Sequence, residues 1–295
     1  MNNQKIQIIT HSDLDGVVSY LVLCWLYGKK LDVISTTPMR LEQDYEKLIS
    51  SGKTWDKLYF LDLDVSKIGE RIDHKSTVIL DHHKTNLYQF KHAIARVYSE
   101  TSCAKLIYDT FFKTTSKEIT SAQKTLIALA DDWDSNAKTT PLSESLNIVY
   151  HSLTNKFNSF VEDYYDGFKH FDKFKENTIL LYKKHRKEYI DTLVPFFGQI
   201  EFDGVKDVKV GAVFCDKFIQ ECCDWLLKFH NTDVAIAVMV NQKRIAVRRN
   251  STNNSIDVSR FVQRIASGGG HEAAAGGNMT DEFMEFTKML SPAST

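Results

Sequence analysis

Cysteine in any metal-binding or disulfide spacing is missing from this sequence. The five cysteines, Cys24, Cys103, Cys215, Cys222 and Cys223, include no CxxC pair, and two are adjacent. Neither a thiolate zinc knuckle nor a disulfide framework fits, and reduced thiols in a cytoplasm are the expectation. A dominant charge is also lacking: 37 Lys and Arg stand against 38 Asp and Glu, for a formal net charge of -1. A chain so balanced does not coat long DNA or an acidic membrane by charge alone, so an anionic partner must be held locally. No apolar run reaches bilayer length. The most apolar helix-like stretch, "VVSYLVLCWLY", covers 11 residues, whereas a spanning helix needs about 20. The start "MNNQKIQIIT" has no basic segment leading into an apolar stretch with a small-residue cleavage site, so no signal peptide is read there.

What is present fits an ordinary globular protein. With 295 residues, 43% hydrophobic and 25% charged, the chain is long enough for two domains that each bury a core. "KIQIIT", "LDVIST", "KLYFLD" and "STVILD" read as buried strands, separated by helical patterns at 16–27 and 41–51 that close at Gly28 and Gly52. Strands interleaved with helices predict an α/β unit: a parallel sheet in the N-terminal domain with helices on both faces. "HAIARVYS" adds another strand, and "SETSCAKLIYDTFF" and "SKEITSAQKTLIALADDWD" add helices that begin at Ser or Thr caps. Residues 151–198 are expected to form a helical connector between a domain at 1–150 and a smaller α/β C-terminal domain at 199–295. Strands "VKVGAVFC", "DVAIAVMV" and "KRIAVRRN" and helices "DKFIQECCDWLLKFH" and 256–266 belong to that second domain.

Acids and imidazoles gather at the strand ends. The first strand runs into "THSDLDG", where His11, Asp13 and Asp15 alternate along an extended segment and are expected to point one way. The third ends in Asp62 and Asp64, the fourth in Asp81, His82 and His83, and "DDWD" brings Asp131, Asp132 and Asp134 after a helix. Ligands of open parallel sheets sit beyond the carboxyl ends of the strands. Singly, each piece has an ordinary reading, since an Asp after a strand is more often a helix cap. Together, so many carboxylates would repel strongly without cations. A divalent metal site follows, and six or more candidate ligands point to two ions. Carboxylate and imidazole donors without thiolate favour Mn²⁺ over Zn²⁺.

"HSDLDG", "FLDLD", "LDHHK" and "ALADD", in this order, resemble the four motifs of the DHH phosphoesterases, and "SGGGHEAAAGG" resembles the glycine-rich motif of the C-terminal domain associated with that family. Nano-RNases, the family's short-oligonucleotide exonucleases, are nearest in size and domain content. The resemblance implies that His11, Asp13 and Asp62 hold one ion, and that Asp15, Asp62, His82 and Asp131 hold the other. It implies that Asp81 orients His82 and that His83 faces the substrate phosphate. Asp64 beside Asp62 and Asp132 beside Asp131 are the alternatives; Asp62 and Asp131 are preferred because each directly ends its apolar run.

In the second domain the glycines allow a backbone to approach a ligand closely. Between 241 and 271 stand Lys243, Arg244, Arg248, Arg249, Arg260 and Arg264 against the single acid Asp257. By resemblance, Arg248 contacts substrate from its strand, and Gly269, Gly270 and His271 complete the substrate site, the two domains facing each other across a cleft. Guanidinium suits a phosphate that is recognised and not cleaved. The expected activity is two-metal hydrolysis of short oligonucleotides to mononucleotides, with a 3′,5′-bisphosphate nucleotide as a side substrate. Two ions roughly 3.5–4 Å apart would activate water and neutralise phosphoryl charge. The alternatives are a cyclic or linear dinucleotide phosphodiesterase in signalling and a non-catalytic nucleic-acid-binding scaffold. The partners expected are a short oligonucleotide or dinucleotide substrate and a second copy in a homodimer, with no membrane.

Overall fold

Apolar residues alternate sides along the first strands, and this decides the N-terminal architecture. The computed structural model describes residues 4–281 except 116, 136, 251, 254 and 271. Strands β1 (Ile6–His11), β2 (Asp32–Thr36), β3 (Lys57–Leu61), β4 (Thr77–Asp81) and β5 (Ile94–Val97) form one sheet in the order β2-β1-β3-β4-β5, and every pair is parallel. Ile8, Tyr59, Leu61, Val78 and Leu80 enter one hydrophobic core, while Ile9, Leu58, Phe60 and Ile79 enter another on the opposite face. Two-sided burial of a parallel sheet is the expected arrangement, with helices on both faces. Helices α1 (Leu14–Tyr27), α4 (Cys103–Phe111) and α5 (Ser121–Asp134) cover the first face, and α2 (Leu41–Ser50) covers the second; α3 (Gly69–Ile72) is a single turn.

α1 differs from the expected 16–27 because Asp13 caps it. The Asp13 carboxylate accepts from the Gly16 amide at 2.9 Å, and Gly28, at φ 68°, closes the other end. His11 therefore ends a strand, Asp13 is the cap, and Asp15 lies in the first helical turn. The three do not share one extended segment as expected, because the cap turns the chain two residues earlier. Gly16 is required by space: a Cβ there would lie 2.2 Å from the carbonyl oxygen of His11.

The chain divides into two compact units, Met1–Leu181 and Tyr182–Thr295. The segment expected as a connector is shared between them. α6 (Pro141–Ser152) and α7 (Lys156–Tyr164) pack into the first core through Leu146, Val149, Tyr150, Phe157, Phe160 and Tyr164, and α8 (Lys173–Asp191) crosses the division. The aromatic residues at helical spacing form a buried stripe, so α7 packs instead of linking.

The second unit is α/β with a mixed sheet. β6 (Phe196–Phe202), β7 (Val205–Phe214), β8 (Val234–Met239), β9 (Arg244–Arg249), β10 (Ser267–Gly270) and β11 (Ala274–Asn278) are ordered β10-β11-β9-β8-β7-β6. Among the described strands of this sheet, only β7 and β8 pair in parallel. α9 (Ile219–Phe229) buries Cys222, Cys223 and Leu226 on one face; α10 (Val258–Ile265) buries Phe261 and Val262 on the other. β6 is a strand that the sequence pattern does not predict. Its hairpin turn is Asp203-Gly204, both at positive φ (50° and 81°), the dipeptide that two-residue hairpins favour.

Candidate metal centre

Sheet order brings the motifs together. β1, β3 and β4 are neighbours, with Thr10 opposite Leu61 and Leu61 opposite Leu80. The residues that follow these three strands therefore emerge side by side at the carboxyl rim. Asp62 stands at its centre, 2% exposed and held at φ 56°. A non-glycine residue in the left-handed region is strained, and such strain concentrates at functional sites.

Each Asp62 oxygen faces a different group. Oδ2 lies 3.5 Å from His11 Nδ1, and Oδ1 lies 3.1 Å from His82 Nε2. His11 Nδ1 is also 2.8 Å from Asp13 Oδ2, and His82 Nε2 is 3.3 Å from Asp134 Oδ2. Three overlapping ligand groups result: His11, Asp13 and Asp62; Asp15, His82 and Asp134; and Asp62, His82 and His83, each with ligand atoms within 4.8 Å of one another. Asp64 stays outside them and accepts from the Ser66 amide at 2.9 Å.

The "DDWD" cluster is distributed differently from the expected choice. Asp131 Oδ1 accepts from the Ser102 amide at 2.8 Å, at the start of α4, and none of these groups contains it. Asp132 accepts from the Thr139 amide at 2.7 Å and from Ser143, bracing the start of α6. Asp134 enters the cluster with Asp15 and His82 in place of Asp131. The signal was present in the helical period: Leu126 and Ala130 are buried on α5, and Asp134 continues their i, i+4 row.

Asp81 also departs from its expected role, for its partner is His83, not His82. It is fully buried, and the His83 Nδ1–H donates to Asp81 Oδ1 at 2.7 Å. β4 ends at Asp81, and the two imidazole rings that follow lie 4.6 Å apart, His82 directing Nε2 to Asp62 Oδ1 at 3.1 Å while His83 directs Nδ1 to Asp81.

Three atoms here lack the partners that burial demands. His11 Nδ1, Asp62 Oδ2 and Asp134 Oδ2 are buried and make no hydrogen bond; the short His11–Asp13 contact does not have hydrogen-bond alignment. Buried polar atoms are normally satisfied, and a cation between carboxylate and imidazole donors would satisfy all three. The electrostatics agree. Burial, and then repulsion from Asp62 and Asp134, pushes the Asp15 carboxyl well above its ordinary range. Burial and repulsion from Asp13 do the same to Asp62. Burial opposes protonation of His11, yet Asp13 and Asp62 outweigh it and hold the imidazole up to about 10. Protons thus stabilise a site whose ligand chemistry fits divalent ions. His11, Asp13, Asp15, Asp62 and His82 of the expected set meet at this rim, with Asp134 added.

In the second unit, Arg248 sits half-buried on β9 between Ala235 and Ala274, close enough to Cys223 to act on its thiol, and makes no ion pair or hydrogen bond among the described residues. Arg249 is structural: Nη1 donates to Asn253 O at 2.9 Å and Nε to Glu272 O at 3.3 Å. Gly269 and Gly270 lie in β10, opposite Gly276 and Ala275 of β11. A Cβ at Gly268 would meet Gly276 O at 2.2 Å, so part of the glycine pattern serves this hairpin's own close approach. His271 lies outside the described residues.

The chain is similar to known proteins in sequence and in fold. Residues 216–292 match the DHHA1 domain family. The chain is 24% identical over 308 residues to oligoribonuclease NrnB of Bacillus subtilis (strain 168), covering 94% of this chain and 74% of that one. Its fold is similar to a pGpG-specific phosphodiesterase, PggH from Vibrio cholerae, with a TM-score of 0.59 and 13% identity over 97% of both chains. It is also similar to RecJ in complex with Mn²⁺ from Thermus thermophilus, with a TM-score of 0.58 and 12% identity, covering 98% of this chain and 51% of RecJ.

The N-terminal α/β unit, whose parallel strands end in acids and the Asp81-His82-His83 triplet, is followed in the chain by the residues that match the DHHA1 domain. The C-terminal part of the chain thus carries the DHHA1 match, and the chain is similar along most of its length to oligoribonuclease NrnB.

Proposed function

We propose that this protein is a divalent-metal-dependent phosphodiesterase that hydrolyses short oligonucleotides to mononucleotides. The observation that carries the reading is the set of overlapping ligand groups joined through Asp62 and His82, with three buried atoms lacking partners. His11, Asp13 and Asp62 would hold one ion; Asp15, Asp62, His82 and Asp134 would hold the second. With such ions bound, Mn²⁺ being the best match to the donors, the site would gain an acidified water and positive charge to offset that on the phosphoryl oxygens. The protein's own groups do the rest. Asp13 and Asp15 are fixed by the start of α1, and Asp15 is further held by the Cys103 and Ala104 amides of α4 at 2.7 and 3.0 Å. His83, fixed by Asp81, offers its other ring nitrogen to the reacting phosphate. Arg248, Gly269, Gly270 and His271 are proposed to recognise the end phosphate. No helix among the described residues is long and apolar enough to cross a membrane, all five cysteines are buried and free, and a cytoplasmic setting and homodimer assembly are part of the proposal.

A linear dinucleotide such as pGpG is the second reading, favoured by the similarity to PggH over 97% of both chains. The test is hydrolysis with Mn²⁺ of RNA and DNA of two to twenty-four nucleotides, pGpG, cyclic dinucleotides and a 3′,5′-bisphosphate nucleotide, with Asp62→Ala as control. Cleavage concentrated on two- to five-mers and absent from the control supports the first reading. Preference for pGpG transfers the protein to signalling. No hydrolysis with Mn²⁺, Co²⁺ or Mg²⁺ overturns both and leaves a binding scaffold.

A further inference from the structure

We infer that Asn86 is a positioning residue: it dictates, through Asp81, which ring nitrogen of His83 carries a proton and which one is left for a ligand. That this ligand is a phosphate rests on the function proposed above; the proton placement does not.

Asn86 is 7% exposed and lies behind the triplet in "DHHKTN". Its Nδ2 donates to Asp81 Oδ2 at 2.8 Å and to the Leu63 carbonyl at 3.3 Å. Both partners are acceptors only, so the amide has one orientation: nitrogen toward them, oxygen toward the Ser66 hydroxyl at 3.4 Å. The loop holds Asn86 in place, since its own amide donates to His83 O at 3.0 Å and Ser66 Oγ accepts from the Leu87 amide at 2.9 Å. Asp81 is fully buried, and Asn86 occupies Oδ2. Oδ1 is left for His83, whose Nδ1 lies 2.7 Å away and must supply a proton to a carboxylate. His83 is thereby held with Nδ1–H inward. Among the described residues Nε2 makes no hydrogen bond, so a ligand meets His83 through Nε2.

An asparagine that merely braced a loop would leave the His83 proton indifferent to its chemistry. A polarity swap separates the two roles. In Asp81→Asn, Asn86 still needs an acceptor, so the new amide turns its oxygen to Asn86 and its NH₂ to His83. The imidazole must then accept at Nδ1 and carry its proton on Nε2. Adding Asn86→Asp gives up the bond to Leu63 O but supplies, as a carboxylate, an acceptor for that NH₂, so the amide oxygen turns back to His83 and Nδ1–H returns. Loss of such an orienting contact lowers activity about 10–100-fold, and here the loss should fall on kcat with KM little changed.

The experiment records long-range ¹H–¹⁵N correlations of histidine-labelled full-length protein, with His83 assigned from His83→Gln, alongside kcat and KM for a dinucleotide with Mn²⁺. The expected series is Nδ1–H in the wild type, Nε2–H with about 10–100-fold lower kcat in Asp81→Asn, and recovery of both in Asp81→Asn with Asn86→Asp. Nε2–H in the wild type, which needs no variant to fold, overturns the inference, as does a double variant that keeps the tautomer of the single one. If the wild type cleaves nothing, the proposed function fails and the tautomer series still decides the role of Asn86.

Discussion

Occupation of the candidate centre should raise the melting temperature by a calculable amount. A ligand present at a hundred times its Kd stabilises the folded state by about 2.7 kcal/mol per site. The unit that carries the cluster spans Met1–Leu181, a size for which 1 kcal/mol moves Tm by about 2–4 °C. Each occupied site is therefore worth about 5–11 °C. Differential scanning fluorimetry with EDTA and then with excess Mn²⁺ gives the shift. Asp62→Asn, at the junction of two ligand groups, should abolish nearly all of it, and Asp134→Asn about half. Both should start from a higher metal-free Tm than the wild type, because each removes one of the mutually repelling carboxylates. Asp131→Ala should keep the whole shift from a lower start, because it leaves the Ser102 amide without its acceptor, a loss of about 1–3 kcal/mol. A full shift in Asp134→Asn and none in Asp131→Ala would refute the ligand assignment. No shift in the wild type with Mn²⁺, Mg²⁺ or Co²⁺ would refute the metal centre itself.

Metal-free protein should lose stability as pH rises from about 6.5 toward 10. His11, held up to about 10 by Asp13 and Asp62, keeps its proton when folded, so its stabilisation is complete below 6.5 and disappears toward 10. Asp15 and Asp62 are raised and act in the same direction. Saturating metal should release protons at pH 7, read from the buffer dependence of the binding heat; a Tm that rises with pH in EDTA contradicts this. Gly16→Ala should abolish the Mn²⁺ shift as well as lower Tm, since its Cβ would lie 2.2 Å from His11 O and displace the turn bearing His11, Asp13 and Asp15. An undiminished shift in that variant would show that the turn does not hold the centre. Arg249→Ala should lower Tm through loss of its bonds to Asn253 and Glu272, whereas Arg248→Ala should leave Tm unchanged and raise KM for substrates with an end phosphate. The reverse pattern in thermal melts and kinetics would exchange their roles.

Much of this protein is legible in one dimension. Buried strands announce themselves by continuous apolar character, helices by caps such as Ser102 and Thr120 and by Gly28, and the resemblance to the DHH phosphoesterases by four motifs and a glycine-rich segment. Those signals are local: they depend on neighbouring residues and on backbone period. β6 escapes such reasoning because Asp203-Gly204 fits a loop end as well as a hairpin turn, and β10 and β11 escape it because glycine and alanine have little strand character of their own. By itself the sequence determined residue types, their order and which strand end each would follow. Tertiary structure decided the rest: β2 lies outside β1, leaving β1, β3 and β4 adjacent; the rotation of α5 brings Asp134 to His82 while Asp131 holds Ser102; and Asn86 and His83 share the two oxygens of Asp81. The physical reason is that a carboxylate carries the same letter whether it binds a cation, caps a helix or orients an imidazole. Only the donors packed against it within hydrogen-bonding distance select among these roles.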